Sequence, residues 1–162
     1  MATPKLTHVF TFTMTTPPGI EASSSKYSNL TAGYAEDGGY IETADGSTKL
    51  KCIGATDWML SNPNSNTITI DARASFIGED GTNLDVKYAG KLIVTQHVLD
   101  IFSGKPGKEF DFGEEYCYTC PIISSRSEKF AWVNDGVFVA MGKLRVLETG
   151  HMELQYRVLK VG

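Results

Sequence analysis

Thr67-Ile-Thr-Ile-Asp-Ala-Arg-Ala-Ser-Phe76 decides between strand and helix. Ile68, Ile70, Ala72, Ala74 and Phe76 fall on one face, and Thr67, Thr69, Asp71, Arg73 and Ser75 on the other. A period of two marks a half-buried strand, because successive side chains leave a pleated backbone on opposite sides. Gly78-Glu-Asp-Gly81 supplies a turn, and Thr82 to Val94 runs back, which completes a hairpin. Working outward, Thr7 to Met14, Glu114 to Ser124, Phe130 to Met141 and Met152 to Val161 read as strands. Weaker strand signals lie at Leu30 to Tyr34, Tyr40 to Thr43 and Lys49 to Trp58. One segment breaks the period. Thr95 to Gly104 places Val98, Ile101 and Phe102 at helical spacing, with Gly104 as a stop and Pro106 beyond it. Many short strands with one short α-helix predict an all-β chain, a single antiparallel β-barrel of about eight or more strands. Closure also removes the exposed edges that so many strands would leave.

The 162 residues fit one domain spanning 1–162. Fifteen basic against nineteen acidic residues give a net charge of -4, which disfavours a nucleic-acid partner and polybasic attachment to a membrane. No apolar run approaches the ~20 residues of a membrane-spanning helix. The opening MATPKLTHVFTFTM has no continuous apolar core, so a secretion signal is not expected and a cytoplasmic location is. Cys52, Cys117 and Cys120 read as reduced thiols. Cys117-Tyr-Thr-Cys120 is formally a CxxC, but on a strand its two sulfurs point to opposite faces. His8, His97 and His151 are widely separated, so neither a metal nor a cofactor is expected. Thr15 to Ser28, with two prolines, a glycine and a serine run, reads as a surface loop or as a lid at the mouth of a pocket.

Five strings then converge in order and spacing: Asp37-Gly-Gly-Tyr40, Gly54-Ala-Thr-Asp-Trp58, Asp71-Ala-Arg73 with Glu79-Asp-Gly81, Tyr88-Ala-Gly90, and Phe130-Ala-Trp-Val-Asn134. Over nearly its whole length the chain resembles the DUF3237 (UPF0311) family of small β-barrel proteins. The resemblance implies one antiparallel barrel with one helix. Relatives in fungal natural-product pathways further imply a cofactor-free isomerase or cyclase. The chain departs from the family pattern at Val133 and Asp135, where a leucine and a basic residue are frequent.

The resembling strings supply the candidate site. Asp57, beside the indole of Trp58, is either a general base with a raised pKa or a turn cap next to a core tryptophan. Arg73 either lies on a solvated outer face or points into the lumen as an oxyanion partner held by Asp71. The outer face is the usual outcome for an alternating strand, and the resemblance raises the standing of the lumen. Tyr118 is the third catalytic candidate. Tyr88, Tyr116, Trp132 and Asn134, with Trp58, are core residues or the walls and polar contacts of a pocket for an aromatic ligand. The expected function is a cofactor-independent isomerase or cyclase acting on a hydrophobic, oxygenated aromatic small molecule, for example by chalcone-to-flavanone-type ring closure. The alternative is a lipocalin-like binding protein without turnover. A hydrolase or lyase ranks below both, for want of a nucleophile–base pair. Homo-oligomerisation is left open.

Overall fold

The computed structural model describes residues 3–35 and 39–162. Asp37 and Gly38 of the first string therefore lie outside the described residues. Among the described residues eleven strands form: β1 (Leu6–Thr16), β2 (Ile20–Ser24), β3 (Asn29–Tyr34), β4 (Tyr40–Thr43), β5 (Lys49–Ser61), β6 (Thr67–Ile77), β7 (Asn83–Ile93), β8 (Glu109–Phe110), β9 (Cys117–Ser124), β10 (Phe138–Val146) and β11 (Met152–Val161). The pairing runs β5-β4-β1-β11-β10-β9-β7-β6 and returns to β5, which closes an antiparallel barrel of eight strands. The β6–β7 hairpin pairs in full register from Thr67↔Ile93 to Ile77↔Asn83, as its alternation dictates. Helix α1 (Gln96–Phe102) also forms where expected; Thr95 caps it by accepting from the Val98 amide at 3.2 Å, and Val98 and Ile101 are buried.

β5 is shared along its length. Its first turns pair with β4 and its later residues, Thr56 to Ser61, pair with β3. The β2–β3 hairpin therefore extends from the barrel as a flap. The stretch expected as a loop over Thr15 to Ser28 contains strand β2, which pairs with β3 through a register shift between Glu21 and Ser23. The prolines precede β2, and its five residues are all exposed, so the ladder survives without a core face.

The reading of Phe130 to Met141 as one strand is also corrected. Glu128–Asp135 is a 3₁₀ segment, and strand begins only at Phe138. Phe130 and Val133, three apart, are the two buried residues of this segment, so helical spacing overrides the apparent alternation. Asn134 clamps the segment in place: its Oδ1 accepts from the Ser125 amide at 3.0 Å and its Nδ2 donates to the Ser125 carbonyl at 3.0 Å. Phe130 meets Phe10 edge-on at 5.6 Å, and Trp132 stacks on Phe10 at 5.7 Å. The segment thus plugs one end of the barrel.

Candidate functional site

Toward the other end, Phe12 packs against Tyr88 at 5.4 Å, Tyr156 at 5.1 Å and Phe76 at 6.2 Å. Tyr88 and Tyr156 line a narrow cavity on the side away from the plug, about 770 Å³ with its open mouth included. Met14, Ile70, Leu92, Phe110, Leu144 and Leu154 form apolar walls, and Pro17, Gly19 and Phe102 bring the flap and α1 to the mouth. Thr16 to Gly19 thus stand where a lid would.

Among the described residues, Asp57 is the one charged side chain in this lining. A β-bulge puts it there. Leu50 and Cys52 point inward, so unbroken alternation would send Trp58 in and Asp57 out. The register shifts between Cys52 and Gly54, and the extra residue, Ile53, is 63% exposed. From there the odd positions Ala55, Asp57 and Met59 face the cavity. Across the sheet, Asp57 pairs with Ala72, and Ala72 pairs with Tyr88.

The electrostatics follow from this placement. Asp57 Oδ1 is buried without a hydrogen-bond partner. Desolvation, and secondarily repulsion from Asp71, push the Asp57 carboxyl up to about 6, against a partial offset from a backbone N–H at Asp71. Burial holds both Tyr88 and Tyr156 well above the ordinary phenol value, so both stay neutral donors. Cys117 Sγ lies 3.8 Å from Tyr156 Oη. Desolvation pushes its thiol up to about 11, which makes it a weak partner for the phenol and a poor nucleophile.

Of the residues singled out in the sequence, Asp57 and Tyr88 meet in the cavity. The inward placement of Arg73 is corrected: Arg73 is exposed, opposite Thr56 and Lys87 on the outer face, and Asp71 is exposed as well. Strand β6 follows the ordinary rule, apolar face in and charged face out. Tyr118 also faces outward, and meets the exposed Tyr116 edge-on at 4.9 Å. Trp58 is 41% exposed on the outer face because of the bulge. Trp132 and Asn134 belong to the plug at the opposite end. Cys117 is buried and Cys120 exposed, as their spacing requires, and both are free. Tyr156 and Cys117 are the site residues that the sequence reading passed over. The alternation Leu154, Tyr156, Val158 carried a signal for the tyrosine.

The histidines stay apart: His8 contacts Thr11, His97 pairs with Glu115 at 3.0 Å, and His151 contacts Thr149. Among the described residues, no three His, Cys, Asp or Glu side chains form a group able to hold a metal ion. No helix among them is long and apolar enough to cross a membrane.

Solved structures share this architecture. A conserved protein of unknown function from Rhodopseudomonas palustris superposes with a TM-score of 0.83 at 16% identity, covering 100% of both chains. A protein of unknown function from Clostridium acetobutylicum gives a TM-score of 0.78 at 18% identity, over 99% of this chain and 100% of the other. A protein described as an enzyme from Penicillium herquei gives 0.67 at 17% identity, over 100% of this chain and 97% of the other. At these identities the likeness concerns the fold. No curated protein matches the chain. The family model of proteins of unknown function DUF3237 matches residues 4–161, and the chain belongs to that family.

Proposed function

We propose that the protein is a cofactor-independent isomerase or cyclase that uses Asp57 as its proton shuttle on a hydrophobic, oxygenated aromatic molecule. The observation that carries this reading is the Asp57 carboxyl in an apolar cavity, its Oδ1 buried without a hydrogen-bond partner and its pKa near working pH. Burying such a group without a partner is unfavourable, so its presence points to a role beyond folding. Ring closure of a hydroxychalcone illustrates the chemistry. The Asp57 carboxylate takes the phenolic proton, and the phenol oxygen bonds to the β-carbon of the enone. The enolate oxygen accepts hydrogen bonds from Tyr88 and Tyr156, and Asp57 returns the proton to the α-carbon. No atom is gained or lost, and no electron leaves the substrate. The neighbour described as an enzyme supports an enzymatic role. We further read the protein as belonging to natural-product metabolism, in keeping with the family resemblance. The three free cysteines are consistent with a cytoplasmic setting.

A lipocalin-like carrier is the second reading, favoured by the otherwise uncharged cavity lining. Incubation with 2′-hydroxychalcone and related enones separates the two. Turnover that falls by about 10²–10⁴-fold in Asp57→Asn supports the enzyme. Tight binding without turnover, unchanged in Asp57→Asn, supports the carrier.

A further inference from the structure

The cavity continues past the barrel mouth. A second hollow, about 670 Å³ with its open side included, lies between the β2–β3 flap, the end of β5 and α1. Gly19, Met59, Phe102 and Met152 line both hollows, so the two adjoin across these four residues. The glycine is needed here: a Cβ on Gly19 would lie 2.6 Å from Thr31 Cγ2, and the flap could not fold back on itself as closely. Among the described residues, the outer compartment has no charged lining residue; its polar side chains are Thr31 and Ser61, and Ser61 Oγ already donates to the Asn29 carbonyl at 3.5 Å. The other direction is closed by the Phe12, Tyr88 and Tyr156 floor and by the plug behind it. A molecule with its oxygens at Asp57 can extend outward past Met59 and Met152, whose unbranched side chains adapt to varied apolar shapes.

We propose that the ligand is bipartite: an oxygen-bearing ring at Asp57 and an uncharged apolar tail in the outer compartment, with Met59 and Met152 setting which tails are accepted. This rests on the reading of Asp57 as the head-group site. Isothermal titration calorimetry with the series from 4-methylphenol to 4-hexylphenol tests it. Affinity is expected to rise about three- to fourfold per methylene. Met59→Trp, which fills the junction, and Ser61→Asp, which puts a charge beside the tail, should each flatten that rise. The second variant stands in where the first fails to fold. Asp57→Asn should lower all members alike and leave the slope. A flat wild-type series, or a slope that survives both Met59→Trp and Ser61→Asp, overturns the proposal. A tail-dependent slope with Asp57→Asn indifferent keeps the tail compartment and removes the head-group reading. If no member binds, both fall.

Discussion

Asp57 and Arg73 are opposite outcomes of the same kind of sequence evidence. Both are charged residues in strings that resemble the family, and both sit on strands. Arg73 lies on an undisturbed alternating strand, and the alternation already placed it with Asp71 on the polar face. The resemblance pulled the reading inward; the pleat decided. Arg73→Met should leave turnover unchanged and shift stability by no more than ~0.5 kcal/mol, as surface changes do. A loss of activity of 10²-fold, measured on the folded variant, would return Arg73 to the site. Asp57 was legible as a residue type, a carboxylate with a reason to have a raised pKa, but its direction was not, because Gly54 inside the strand hints at a bulge without fixing where the register shifts. Tyr156 was passed over because its strand carried no family string, although its own alternation pointed it inward.

The strands of the closed barrel and α1 were legible because hydrophobic period and capping residues are local signals, whereas β2, with no buried face, and the two-residue β8 carry no such period. The plug was not, because Phe130, Trp132 and Asn134 alternate as a strand would while Phe130 and Val133 repeat as a helix. Tertiary contact with Phe10 chose between them. Asn134 then has a structural task in place of the ligand contact expected of it. Asn134→Ala should lower stability by about 0.5–1.5 kcal/mol, since it removes the two solvent-exposed hydrogen bonds that tie the segment to the Ser125 backbone. The cavity lies at the far end, so binding of 4-methylphenol to the folded variant should not change; weakened binding would tie the plug to the site. Gly90, in the Tyr88-Ala-Gly90 string, answers to packing as well. A Cβ there would run into the Tyr118 carbonyl oxygen where β7 meets β9. Gly90→Ala should lower stability by ~1–3 kcal/mol in denaturant unfolding, the usual range for overpacking. An unchanged midpoint would show that the strands separate without cost.

At the scale of the whole barrel, one end is filled with aromatic rings and the other holds a carboxyl that folding would be better off without. That asymmetry makes stability depend on pH. In the unfolded chain Asp57 titrates near the ordinary 3.8, and in the folded protein near 6. Between these values the native state holds a proton that the unfolded state has released. The stability present at pH 4 is therefore lost as pH rises through 6, by about 3 kcal/mol for a shift of this size. Thermal unfolding of Asp57→Asn should lack this slope, so the variant gains on the wild type from pH 4 to 7 and then holds its lead. Parallel curves would place the carboxyl in water. The most direct measurement is the titration of the Asp57 carboxyl itself, by carbon NMR on aspartate-labelled protein, with the resonance assigned by its loss in Asp57→Asn. A midpoint near 6 is expected of a carboxyl desolvated in the cavity. A midpoint near 3.8, that of an ordinary solvated aspartate, would contradict the acid–base role at the centre of the proposed function.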